Sequence, residues 1–176
     1  YLGGLSEPLE QTEPASPVEL SGPVGEVVFD RICFAYGQGN AGLREISFRV
    51  TRGQTLAIVG LSGAGKSTLI DIILGFIRPQ QGTILVNGNP LEAYRLQQWR
   101  QRVGTVFQSP ALFRGAVKDN LCLAAPDTSE EQIWEHLAAL GLDETIRRRG
   151  GLKAAISESA SDWSEGEAQR LAILRA

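Results

Sequence analysis

The run TLAIVGLSGAGKSTLIDIILG, residues 55–75, constrains this chain more than any other stretch. Residues 60–67 read GLSGAGKS and match G-x-x-x-x-G-K-[ST] in full. The preceding run 55–60 is nearly all apolar, as a strand buried on both faces requires. KSTLIDIILG follows with helical content. Gly60, Gly63 and Gly65 tolerate backbone angles that other residues avoid and place no side chain in the way. The loop amides can therefore turn inward, at the start of a helix whose dipole favours an anion. The phosphates of a nucleoside triphosphate are the expected occupant, held by Gly60, Ser62, Gly63, Ala64, Gly65, Lys66, Ser67 and Thr68. Lys66 is expected to reach the β- and γ-phosphates, and Ser67 to ligate Mg²⁺. A plain glycine-rich turn is the alternative, and the setting between strand and helix argues against it.

Around this loop the sequence alternates in character. Residues 1–24 hold four of the eight prolines with several Glu, Ser and Gly, and read as an extended linker. Alternating apolar residues in VVFDRICFAY and LREISFRV predict strands, as does GTILVNG, with a turn at Asn87-Gly88. YRLQQWRQ predicts a short helix and VGTVFQ, 103–108, a second buried strand. A mainly helical stretch is expected over about 115–155. In DTSEEQIWEHLAALGL, Thr128 with Glu131 fits a capping box, Ile133, Leu137 and Leu140 form the apolar stripe, and Gly141 ends the helix.

A net charge of −3 over 176 residues argues against a partner bound through its phosphate backbone. No run of 18 apolar residues reads as a membrane span. Cys33 and Cys122 are expected to be buried thiols. Trp99 and Trp134 are expected in packing, Arg147 to Arg149 as a solvated basic run, and His136 on a helix surface. With Tyr1 first and no methionine, the chain is expected to be a piece of a longer protein.

Four further stretches resemble the nucleotide-binding domain of ATP-binding cassette (ABC) transporters. FAYG precedes the phosphate loop, and the resemblance implies that Tyr36 stacks on adenine. TVFQSPALFRGAVKDNL resembles the family's glutamine loop in its exporter form, which implies that Gln108 reaches both Mg²⁺ with its water and the neighbouring membrane domain. ISESASDWSEGEAQRLAILRA resembles the signature region. The fourth stretch is the flanking pair GPVGEVVFDRICFAYG and GFIRPQQGTILVNG. The resemblance covers residues 25–176. It implies an α/β fold: a P-loop NTPase (RecA-like) core, an antiparallel β subdomain and an inserted α-helical subdomain at about 115–165, incomplete at the C-terminus. It also implies an ATP hydrolase acting with Mg²⁺ at the cytoplasmic face of a membrane, joined through residues 1–24 to a membrane domain of the same polypeptide. A second, unlike nucleotide-binding domain is expected as partner, and no nucleic acid. A non-hydrolysing regulatory module and a soluble ABC ATPase acting on nucleic acid are the alternatives.

The signature departs from the family's L-S-G-G-Q. Ser164 and Gly166 are kept; Trp163, Glu165 and Glu167 stand for Leu, Gly and Gln. By resemblance, Ser164, Glu165, Gly166 and Glu167 face a γ-phosphate across a head-to-tail pair. A carboxylate about 4 Å from a phosphate charge costs about 4 kcal/mol at an effective dielectric of 20, so Glu165 is expected to weaken closure. The family's Asp-Glu strand and switch histidine lie outside these 176 residues. The piece alone is therefore expected to hydrolyse negligible ATP and to expose an apolar sheet edge.

Overall fold

The computed structural model describes residues 14–37, 42–109, 111–157 and 162–176. They divide into two units, up to Arg102 and from Val103 onward, and each is described by itself.

The first unit is built on an antiparallel sheet in the order β2-β1-β3-β4, from β1 (Glu26–Ala35), β2 (Gly42–Thr51), β3 (Gln81–Val86) and β4 (Asn89–Pro90). Apolar alternation seats Phe29, Ile32, Ile84 and Val86 in the core. The β1 register shifts after Phe29 and again after Ile32, and Arg31 takes φ 50° there, as a bulge requires. Phe29 and Phe48 stack across the β1–β2 pair at 4.2 Å. Asn87 and Gly88 both have positive φ, so β3 turns into β4 through the tight hairpin that Asn-Gly favours.

Helix α1 (Lys66–Ile73) buries Leu69 and Ile72. Its C-terminal carbonyls, which no helical N–H can reach, are met by α2 (Leu96–Arg100). The Trp99 indole donates to Ile73 O at 2.6 Å, and Arg100 donates to Leu74 O and Gly75 O. Trp99 is therefore a packing residue, as expected.

The segment expected as a plain linker is partly docked on this unit. The Val18 amide donates to Ala93 O at 2.8 Å, and Leu20 is buried. Asn87 Oδ1 accepts from the amides of Gly25 and Glu26, while its Nδ2 donates to Pro23 O.

Two expected strands are absent. Residues 54–61 and 103–107 carry no strand. Leu56, Ile58 and Val59 are exposed, Val59 by 89%, and so are Val106 and Phe107. Apolar content alone does not make a strand. A parallel strand needs hydrogen-bonded neighbours, and neither run pairs with any strand among the described residues. The expected apolar sheet edge beside the phosphate-loop strand therefore does not form either, because that strand is not there to present one.

The second unit is mainly helical: α3 (Val117–Leu121), α4 (Glu130–Ala139), α5 (Asp143–Arg148) and α6 (Glu165–Arg175), with a two-residue ladder between β5 (Gly115–Ala116) and β6 (Ala155–Ile156). Ile133, Leu137, Leu142, Ile146, Ile156 and Leu171 share its core. Buried Asn120 is satisfied: its Oδ1 accepts from the Phe113 amide, and its Nδ2 donates to Phe113 O and Ala116 O.

The capping box of α4 lies one residue beyond the expected Thr128/Glu131. Ser129 caps, with Gln132 answering, because the Thr128 hydroxyl turns back to Ala125 O. Gly141 ends the helix with φ 63°. His136 is exposed on α4.

Cys33 and Cys122 are half-buried free thiols rather than buried ones, and Cys33 Sγ accepts from the Glu45 amide. The basic run is not simply solvated: Arg147 lies over Trp134 at 4.8 Å, and Arg149 lies over Trp163 at 4.3 Å. Trp163 is buried in the core of its own unit.

Candidate nucleotide-binding site

The loop 60–65 bends through left-handed backbone at Gly63 (φ 81°) and Gly65 (φ 87°). The Ala64 amide closes a turn onto Leu61 O. Gly63 has open space around it, so its requirement is conformational. Gly65 has a second requirement: a Cβ there would stand 2.6 Å from Leu43 Cδ2. Leu43, on β2, thus supports the loop from below, a role no local pattern announces.

Gly65 caps α1 without a side-chain hydrogen bond, and the first turn of α1 has no acidic residue. The amides of Lys66, Ser67 and Thr68 find no acceptor among the described residues. Three orphan N–H groups at a helix start form an anion seat. Lys66 folds across the loop and donates to Gly60 O at 2.9 Å and Leu61 O at 2.8 Å. Its ammonium is therefore held at the backbone carbonyls that open the loop. These observations fit a triphosphate. Ser62 and Ala64 belong to the same bend, and Ser67 is exposed at its rim.

Tyr36 follows β1 in the same unit. It is 58% exposed and meets Phe34 edge-on at 4.9 Å, which leaves ring surface open. Gln108 belongs to the second unit and is exposed. It does not end a buried strand, since none forms there. Glu158, in the stretch that resembles the signature region, lies outside the described residues.

Ser164 is the N-cap of α6, so Glu165, Gly166 and Glu167 form its first turn. Glu167 closes a capping box. Its Oε2 accepts from the Ser164 amide and from the Ser164 hydroxyl, each at 2.9 Å, and the Glu167 amide donates to Ser164 Oγ at 3.3 Å. Arg149 adds a contact to the same carboxylate oxygen at 3.4 Å. The Ser164 amide, then its hydroxyl, Arg149 and Arg170 hold the Glu167 carboxyl below the usual range against the opposing effect of burial. The S-x-x-E pattern was legible at 164–167. Arg149 was not, because it lies 18 residues away in sequence.

The two helix starts therefore differ in charge. That of α1 is free of carboxylates and that of α6 holds two. Among the described residues, no group of three or more His, Cys, Asp or Glu side chains is placed to hold a metal. No helix among them is long and apolar enough to cross a membrane.

Comparison with known proteins agrees with this geometry. The family model described as ABC transporter matches residues 43–176. The beta-(1→2)glucan export ATP-binding/permease protein NdvA of Rhizobium meliloti (strain 1021) is 35% identical over 168 residues, covering 95% of this chain and 29% of that protein. ABC transporter B family member 13 of Arabidopsis thaliana is 35% identical over 159 residues, 89% of this chain and 13% of that one. Among solved structures, a bacterial Atm1-family ABC exporter with ATP bound superposes with a TM-score of 0.83 at 30% identity, over 92% of this chain and 28% of the other. This chain thus spans under a third of the length of these relatives. Motif, fold and comparisons agree: the chain belongs to the ABC transporter family.

Proposed function

We propose that this chain is the ATP-binding domain of an exporter, that its loop at residues 60–68 holds Mg-ATP, and that it pairs head to tail with a second ATP-binding domain to drive a membrane domain. The observation that carries the reading is the phosphate seat. Orphan amides at the start of α1, two left-handed glycines and the Lys66 ammonium converge where no acidic side chain opposes an anion. Lys66 would exchange its two carbonyl partners for β- and γ-phosphate oxygens. Tyr36 would stack on adenine. Mg²⁺ would rest on the Ser67 hydroxyl and on the phosphates themselves, and would supply charge neutralisation at the terminal phosphoryl group.

Ser164, Glu165, Gly166 and Glu167 would complete the neighbour's nucleotide site. Two carboxylates in that turn disfavour a γ-phosphate there, so an unlike partner with an intact signature suits the Lys66 loop best. The cytoplasmic side of a membrane is the location this implies. The same two carboxylates favour the second reading, a nucleotide-binding module with a regulatory role.

The test is ATP turnover by the purified intact transporter in lipid. Lys66→Ala is expected to abolish it. Full turnover by Lys66→Ala would refute the reading.

A further inference from the structure

Two capping boxes in the same unit allow a direct comparison. At the start of α4, the Ser129 amide donates to Gln132 Oε1 at 3.0 Å and Ser129 Oγ accepts from the Gln132 amide at 3.2 Å. The Ser129 hydroxyl proton has no acceptor among the described residues. At the start of α6 the third residue is Glu, and the outcome changes. Glu167 Oε2 takes both the Ser164 amide and the single proton of the Ser164 hydroxyl. A neutral amide at this position leaves the serine proton available, whereas a carboxylate consumes it.

The carboxylate is also fixed from outside the helix. Arg149 Nη2 reaches Glu167 Oε2 at 3.4 Å and donates to Asp162 O at 2.8 Å, while the guanidinium covers the Trp163 ring. Asp162 is tied in turn, its Oδ1 accepting from the Ser157 hydroxyl at 2.9 Å. The Glu167 side chain is only 17% exposed. One oxygen thus gathers an amide, a hydroxyl and a guanidinium, the donor set a phosphate oxygen would take.

We propose that Glu167, positioned by Arg149, is a resident anion that occupies the phosphate-facing donors of this signature and so determines that the nucleotide site it completes grips a triphosphate poorly. The proposal rests on the reading of the chain as an ATP-binding domain that pairs with another. It differs from the repulsion expected of Glu165. Glu165 opposes an incoming charge, whereas Glu167 removes the serine donor that charge would need. A γ-phosphate can recruit Ser164 only by displacing a carboxylate already held by three donors.

The test uses the intact transporter with its second ATP-binding domain. Fluorophores on α4 of this domain, at position 136, and on the second domain report ATP-driven closure by energy transfer. Glu167→Gln recreates the box already present at Ser129/Gln132, so the fold tolerates it. It is expected to lower the half-maximal ATP concentration for closure roughly tenfold, the worth of one charge-assisted hydrogen bond regained. Adding Ser164→Ala to Glu167→Gln should cancel the gain, because the gain acts through the serine hydroxyl. Arg149→Gln alone should give no gain, since the carboxylate remains on Ser164.

Unchanged ATP dependence in Glu167→Gln, or a gain that survives Ser164→Ala, would overturn the proposal. Lys66→Ala separates the two levels. If it abolishes closure while Glu167→Gln does nothing, the ATP-binding reading stands and the resident-anion inference fails. If Lys66→Ala also closes normally, the ATP-binding reading fails.

Discussion

The packing beneath Gly65 allows a quantitative test of how the loop is built. In Gly65→Ala, a Cβ is forced into left-handed backbone at φ 87°, which costs about 1–2 kcal/mol. The same Cβ stands 2.6 Å from Leu43 Cδ2, and Leu43 is itself buried. Overpacking of that kind adds about 1–3 kcal/mol. The total is about 2–5 kcal/mol. Gly63→Ala supplies the control: its φ is 81°, but no atom lies within 4 Å of the added Cβ. It should cost only the conformational part, about 1–2 kcal/mol. Leu43→Ala removes the obstructing methyl at a cost of about 2–5 kcal/mol. The double variant Gly65→Ala/Leu43→Ala should then be less destabilised than the sum of the singles, by about 1–3 kcal/mol. Urea unfolding of the four variants measures the cycle. Additivity within about 0.5 kcal/mol, or equal losses in Gly63→Ala and Gly65→Ala, would refute the packing argument.

Other consequences are as specific. Ser129→Ala should destabilise by about 1 kcal/mol through loss of the α4 cap, and Thr128→Ala by less, since its hydroxyl bonds only Ala125 O. Calorimetry that ranks the two in the opposite order would restore Thr128 as the cap. Glu167 is held below its unfolded carboxyl range, first by the Ser164 amide and then by the Ser164 hydroxyl and Arg149. Its contribution to stability is therefore full above about pH 5 and is lost as the pH falls through the lowered value. The difference between wild type and Glu167→Gln in urea midpoint should be largest near neutrality and shrink below about pH 4. A difference that grows on acidification would contradict the assignment.

How far the sequence led depended on whether a signal was local. The phosphate loop is a contiguous octet in which each glycine and Lys66 has a role within a few residues, so its geometry was readable. The hairpin at Asn87-Gly88 and the N-cap at Ser164 are likewise local. Residues 55–60 and 103–108 show the limit. Their composition suits a buried strand, but a strand is a relation between segments, and neither has a partner among the described residues. Leu43 under Gly65 and Arg149 beside Glu167 lie 22 and 18 residues from what they support. Only the folded chain brings them together. The docking of residues 18–23 was out of reach for the same reason, since the partners of Val18 and Pro23 are Ala93 and Asn87, far along the chain.

Equilibrium titration of the intact protein with a fluorescent ATP analogue, with and without Lys66→Ala, tests the central claim most directly. Saturable binding that ATP displaces and that Lys66→Ala weakens at least roughly tenfold is the predicted result, because the ammonium would trade two carbonyl contacts for charge-assisted bonds to phosphate. Equal affinity in the two proteins, or no displaceable binding in either, would contradict it.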